Sequence, residues 1–418
     1  PWSNASGGRP RRLPMSAPAS STEAADGLEQ SLLRRDWQVF ILLTFLFMFG
    51  FAVYSGVFQN FLRDSLQARE LDLGILESLR EVPGLLAALT AGTLVALAES
   101  RVAVLGLAVT AVGIGITGTA QSLPVVIAIS VFWSIGFHLY SSVSGAITLA
   151  LAKGKEGGRH LGRMTGVGAL ATICGLGFSL LLAWVARSWL GARLDYNVYF
   201  VIAGISIGIS SFLCSKLSHH AAGGARQRLV FRREYGLFYL LTFLEGCRRQ
   251  IFSIFATFTL ILVYKVPVER MLLLQFVNAI LIAFTAPQMG RLVDRIGERT
   301  PLTIYAIGLI VVFLGYATSG SLAVLYALYL LDNVLFSFGV GITTYLHRIV
   351  RPGEFTPCLA MGVTMNHIAA VSVPVGGALL WKASGNYQVP FMLGAVIAVA
   401  ALLATFRLPE GPRPQPSS

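Results

Sequence analysis

Long apolar runs, separated by short polar gaps, occupy nearly the whole chain between residues 36 and 407. The runs are continuous rather than alternating, so they predict helices and not barrel strands. A membrane-crossing helix needs about 20 mostly apolar residues. In lipid, only helices and closed barrels satisfy every backbone polar group. Twelve spans follow, at 37–62, 71–97, 102–120, 123–151, 162–186, 197–215, 236–264, 268–289, 302–318, 322–346, 358–381 and 389–406. Spans 2, 7 and 10 carry interior charges, and the break between spans 3 and 4 rests on Gln121 and Ser122 ahead of Pro124.

Composition supports this all-α membrane class. The chain of 418 residues is 55% hydrophobic and 12% charged, with mean hydropathy +0.69. Soluble domains carry about 25% charged residues, so a string of soluble domains is excluded. The net charge of +12 is distributed by topology. Of 32 Lys and Arg residues, seven (Arg63, Arg69, Arg187, Arg193, Lys265, Arg270 and Lys382) fall in one set of loops, three (Arg80, Arg248 and Arg249) lie deep inside spans and 22 lie at the opposite side, Arg163 at the edge of span 5 included. Lys and Arg gather on the cytoplasmic side, so both termini are expected in the cytoplasm, in a plasma (inner) membrane protein. The positive charge then marks orientation and attraction to the bilayer surface, not a nucleic-acid partner. Cys174, Cys214, Cys247 and Cys358 are dispersed in or beside apolar runs, which predicts packing residues and neither a zinc site nor a disulfide framework.

Residues 1–35 are rich in Pro, Ser, Ala and Arg and are expected as a disordered cytoplasmic tail, as are residues 408–418. Met15 is a candidate start of the chain. Residues 216–235, with His219, His220, Arg226, Arg228, Arg232 and Arg233, form a polar basic linker between two six-helix halves, 36–215 and 236–407.

The gap at 290–299 reads Gly-Arg-Leu-Val-Asp-Arg-Ile-Gly-Glu-Arg. A weaker copy stands 198 positions earlier, with Gly92, Leu94, Val95 and Arg101 retained but Ala96 and Leu97 in place of Asp and Arg. A second pair of similar segments, Leu161–Gly168 and Leu359–Asn366, has the same offset. Two like halves in one orientation are what parallel repeats predict. Gly290, Asp294, Arg295, Gly297 and Arg299 resemble the G-x-L-x-D-R-x-G-x-R loop of the major facilitator superfamily. The resemblance implies two six-helix bundles, with spans 1, 4, 7 and 10 lining a central cavity. Spans 2, 5, 8 and 11 would form the interface between halves, and spans 3, 6, 9 and 12 would face lipid. It also implies a gating role for the loop, in which Asp294 pairs with Arg and meets a neighbouring helix end. Drug–proton antiporters similar to this family carry a Gly-Pro-rich span 5 and an Arg in span 4. Here span 5 has Gly166, Gly168, Gly175 and Gly177 without the Pro, and Ser141 stands in the position of that Arg.

Charges inside spans narrow the chemistry. Each costs about 2.5–3.5 kcal/mol to place at mid-bilayer, so such groups are functional candidates. Span 2 holds Glu77, Arg80 and Glu81; span 7 holds Glu245, Arg248 and Arg249; span 10 holds Asp332 beside Asn333. His138 lies in span 4, and Asn366 and His367 in span 11. At 1.5 Å per residue, Arg80, Glu245, Asp332 and His367 lie about 14–15 Å from their span ends, near the midplane. Each triplet has i, i+3, i+4 spacing and so lies on one helical face. Spans 3, 6, 9 and 12 lack interior charges, which fits the lipid-facing role that the resemblance implies. Glu77 with Arg80, and Glu245 with Arg249, can lock the halves together or serve binding and switching; His138 and His367 can be binding or packing residues. Four acids against three arginines leave one acid without a counter-ion, and an unpaired buried carboxylate tends to hold a proton. Asp332 is the first candidate for proton coupling, followed by Glu81 and Glu77. Arg248 and Arg249, with Glu245, Asp332, Asn333, His138, Asn366 and His367, are candidate substrate contacts.

The expected function is secondary active transport of a small polar or charged solute by alternating access, driven by a proton gradient, in a monomer without cofactor. No phosphate-binding G-x-x-x-x-G-K-[ST] loop occurs in the sequence, and no paired nucleophile and base or metal-ligand cluster points to an enzyme. The competing readings are a transporter-fold sensor or assembly scaffold and, within transport, a multidrug or metal exporter.

Overall fold

The computed structural model describes residues 19–89, 99–152, 157–189, 191–217 and 230–411, with side chains from residue 31. The weaker loop copy at 92–97 and most of the linker lie outside the described residues. So do residues 1–18 and the last residues of the C-terminal segment.

All twelve spans are helical. Span 1 is Ala19–Leu66, so part of the segment expected as disordered continues the first helix. Its physical cause is the stretch 23–33, where eight of eleven residues are Ala, Glu, Gln or Leu, strong helix formers. Spans 2 to 6 are Glu70–Leu89, Glu99–Gly115, Leu123–Leu151, Gly157–Trp189 and Tyr196–Cys214. Span 7 has three parts: Gly236–Gln250, a π-helical turn Ile251–Ala256, and Thr257–Leu262. Spans 8 and 9 are Val268–Ile296 and Arg299–Thr318. Span 10 is Leu322–Phe336, a tight turn Ser337–Gly339, and Val340–Ile349. Spans 11 and 12 are Phe355–Ser384 and Gln388–Thr405. Among the described residues, ten helices are long and apolar enough to cross a membrane. The other two are spans 2 and 7, the ones with the charge triplets.

Helix ends follow local chemistry. Asp195 caps span 6 by accepting from the Asn197 N–H at 2.9 Å, and Pro124 sits in the first turn of span 4. Gly297 ends span 8 with φ 83° and ψ −178°, a region open essentially to glycine alone. This gives the second glycine of the loop motif a backbone reason.

Span 2 packs on span 11 and span 5 on span 8, forming the joint between halves. Spans 3, 6, 9 and 12 each leave one apolar stripe uncovered, for example Val201, Ile205, Ile209 and Phe212 on span 6 and Met392, Val396, Val399 and Leu403 on span 12. Their spacing of three to four residues puts each stripe on one helical face, as a lipid contact requires.

With twelve spans, the start of span 1 and the end of span 12 lie at one end of the bundle, the terminal end. At the opposite, far end the halves close on each other. Asn60 donates to the Val266 carbonyl at 3.4 Å, Gln275 to the Gly56 carbonyl at 3.2 Å, and the Val375 N–H to Ser78 Oγ at 3.1 Å. Glu269 of span 8 meets Arg187 at 3.3 Å and Arg193 at 3.9 Å. Toward the terminal end the facing surfaces part. Gly177 presses on Phe276, yet Gly166, about three turns along the same face of span 5, has nothing within 4 Å of where a Cβ would stand. The same holds for Gly290 on span 8 and for Gly145, one turn beyond Ser141.

Candidate functional site

A cavity of about 660 Å³ lies between the halves near mid-depth. Glu77, Arg80, Glu81 and His138 line it from the N-terminal half, and Arg249, Asn366 and His367 from the C-terminal half. The two triplets, alike in spacing, behave differently.

In span 2, Glu77 and Arg80 form an ion pair along one helix. The Arg80 guanidinium also stands 5.5 Å from the Trp133 ring centre, and Ser134 donates to its backbone carbonyl at 2.5 Å. Glu81, one residue on, reaches across the joint: its Oε2 is 3.3 Å from His367 Nδ1 of the other half. His367 and His138 meet edge to face, with ring centres 5.1 Å apart. Both rings lie against Gly84, where any Cβ would collide with them. Glycine is therefore required at 84 for this contact.

In span 7 the triplet is divided. Arg248 is 3% exposed and sealed within the C-terminal half. It binds Glu245 at 2.8 Å and Asp332 at 3.1 Å. The Tyr305 hydroxyl donates to Glu245 Oε2 at 2.5 Å, and the Tyr305 and Phe336 rings flank the guanidinium at 5.4 and 5.0 Å. Arg249 points the other way, into the cavity, and has no ion-pair partner among the described residues. Its guanidinium rests 5.2 Å from the Phe336 ring centre. The π-helical turn begins two residues later and carries Ser253 and Ile254 on the cavity wall. Such turns mark irregular, often functional, helix segments.

Several expectations need correction. Asp332 is not the acid without a counter-ion, because one guanidinium serves both it and Glu245. The arginine left over is Arg249. Glu245 pairs with Arg248 and not with Arg249. Arg248, Glu245, Asp332 and Asn333 do not line the cavity; Asn333 donates to its own helix, at the Tyr329 carbonyl, at 2.9 Å. In the 290–299 loop, Asp294 and Arg295 are exposed and make no ion pair among the described residues. Arg299 pairs with Glu410 and lies over Phe406 at 5.9 Å, while the adjacent Glu298 holds Arg348 at 3.2 Å. Nearby, the Tyr235 hydroxyl and the Arg232 guanidinium hold the Glu354 carboxyl below its usual range, at 2.7 and 2.6 Å.

Sequence reasoning missed the aromatic wall. Phe51, Tyr54, Trp133 and Phe137 all line the cavity. Aromatic residues in apolar runs carry no signal of their own. The cavity amides Gln59, Gln250 and Gln275 were legible in principle, being polar groups within spans.

This architecture can be placed among known proteins. A family model described as Major Facilitator Superfamily matches residues 40–353 and 238–418. The chain belongs to the major facilitator superfamily. Solved structures agree on the fold. The nucleoside transporter NupG, as a point mutant, superposes with TM-score 0.73 at 12% identity, over 89% of this chain and 99% of that one. A bacterial homologue of the iron transporter ferroportin, in an inward-facing state, gives 0.71 at 13% identity, over 89% and 98%. The xylose transporter XylE from E. coli, in an inward-open conformation, gives 0.64 at 15% identity, over 90% and 97%. No curated protein sequence matches the chain significantly. The chain is thus an integral membrane protein of a transporter family, not an enzyme.

Proposed function

We propose that the protein is a proton-coupled secondary transporter of a small polar or charged organic solute, seen here with its cavity open to the cytoplasm. The observation that carries this reading is a charged cavity between two halves that join at the far end and part at the terminal end. The distribution of Lys and Arg supports a cytoplasmic terminal end. Alternating access then consists of closing the terminal end and opening the joint at Glu269, Ser78 and Asn60.

Glu81 is the proton carrier in this reading. It faces the cavity, and its partner His367 belongs to the other half. Parting of spans 2 and 11 would remove that partner, so the carboxylate's protonation is linked to the state of the joint. Glu77 remains with Arg80, and Asp332 serves to hold Arg248 in place. The driving force is the proton gradient, with no cofactor, and the protein works as a monomer in a plasma (inner) membrane.

The test is uptake into proteoliposomes with an imposed proton gradient, read on a panel of small solutes. Glu81→Gln is expected to lower gradient-driven accumulation at least tenfold while exchange of the same solute continues. Equal accumulation by this variant would remove Glu81 from coupling, and no uptake of any solute by the unaltered protein would remove the transport reading.

A further inference from the structure

The transport reading leaves the solute unnamed, and the cavity walls narrow it. The charged groups that span 2 places on the cavity wall already face a partner. Glu77 is bound by Arg80, and Glu81 is faced by His367. Arg249 is different. A guanidinium offers five N–H donors in a planar fork, and the side chain of Arg249 uses none of them on a described residue. It is held at the wall by the Phe336 ring and opens onto the cavity. A cavity-facing guanidinium that has no carboxylate of its own suits one from the solute, bound through two parallel hydrogen bonds.

The N-terminal half contributes a wall of interlocked rings. Phe51 and Phe137 lie 28° from parallel with centres 5.2 Å apart. Tyr54 and Trp133 meet edge to face at 5.3 Å, and Phe51 and Trp133 at 5.9 Å. Trp133 and Tyr54 are 3% and 1% exposed, so the wall is packed from behind and cannot fold away. A rigid aromatic surface favours a planar ring in offset or edge contact over a flexible chain. The cavity volume of about 660 Å³ is in the range of sites for drug-sized organic molecules.

We infer that the solute is an aromatic organic anion, with its carboxylate on Arg249 and its ring against Phe51 and Phe137, the half-buried face of a wall that Tyr54 and Trp133 back. This rests on the transport reading for its purpose but not for its test, which is binding. A cation is disfavoured, because Glu77 already pairs with Arg80, Glu81 lies against His367, and the bare guanidinium of Arg249 on the same cavity wall would repel it.

The experiment uses the full chain purified in detergent and four probes: 2-naphthylacetate, its neutral amide, 2-(2-naphthyl)ethylamine and cyclohexylacetate. Thermal shift and calorimetry are expected to show the naphthyl acid binding at least tenfold more tightly than each of the others. Arg249→Gln should lower affinity for the acid at least tenfold and leave that for the amide unchanged. The melting temperature without probe should stay the same, since Arg249 holds no ion pair whose loss would unfold the protein. Phe137→Leu should weaken all three naphthyl probes and spare cyclohexylacetate. Tighter binding of the amine than of the acid, or an unchanged acid affinity in Arg249→Gln, overturns the inference. Binding of the acid with no uptake of any solute in proteoliposomes would overturn the transport reading and leave the site assignment standing. Proton-driven uptake of another solute with no binding of the acid would do the reverse.

Discussion

The two halves place different chemistry on matching positions. The repeat length of 198 residues relates Phe47 to Glu245, Gly50 to Arg248, Leu107 to Tyr305 and Ser134 to Asp332. In the C-terminal half these positions build a sealed ion cluster. In the N-terminal half the same places hold a ring, a close helix contact, an aliphatic side chain and a hydroxyl. A Cβ at Gly50 would press on the Ala203 carbonyl of span 6, and Ser134 ties span 4 to the Arg80 carbonyl. The charges of the N-terminal half sit instead on span 2, at the joint, where they face the cavity. One half therefore uses its charges to hold its own helices together, and the other uses them where the halves move apart.

The largest expected effect tests the sealed cluster. Arg248→Met leaves two carboxylates buried without a counter-ion, and breaking such a pair costs about 3–5 kcal/mol. A denaturation midpoint in detergent should fall accordingly. Combining it with Glu245→Gln and Asp332→Asn should recover most of the loss, because the burial cost of the orphaned charges disappears. Failure of that rescue would mean that the cluster does more than hold helices.

Arg80→Met probes the matching ion pair of the N-terminal half. Glu77 borders a cavity that water can enter, so its charge can be hydrated when Arg80 is lost. The expected cost is about 1–3 kcal/mol, that of one unsatisfied buried polar group, measured on the same denaturation scale. A loss as large as that of Arg248→Met would erase the distinction between the halves.

Gly84→Ala should have the smallest effect on stability. Its methyl would displace the rings of His138 and His367, which border open space, so the cost should not exceed about 1 kcal/mol, the low end for overpacking. The joint should loosen nonetheless, and a cysteine introduced at Ser141 should label faster. Unchanged labelling would show that the histidine contact does not set the width of the opening.

The uneven legibility of these features has a physical origin. The lipid-facing role that the family resemblance implies for spans 3, 6, 9 and 12 was matched by their lack of charge, because lipid contact constrains composition residue by residue. Gly297 could be read from the motif, because a backbone conformation open essentially to glycine leaves a mark in sequence. The charge triplets could be read as important, because burying charge in a membrane is costly wherever it occurs. Their partners could not be read from spacing. Arg248 and Arg249 are adjacent, and about 100° of helical rotation separates a side chain sealed among Glu245, Asp332 and Tyr305 from one that opens on the cavity. Which of the two meets the cavity depends on how span 7 is rotated against spans 9 and 10.

The sequence by itself determined the membrane class, the twelve helices, the duplicated halves and the family, because each follows from local hydropathy, repeat offset or a short motif. The tertiary structure alone decided which acid has a partner, which arginine is free, and that Phe51, Tyr54, Trp133 and Phe137 converge on one wall. Those are relations among helices distant in the chain. Their energies depend on distances of a few ångströms that packing sets and that no periodicity encodes.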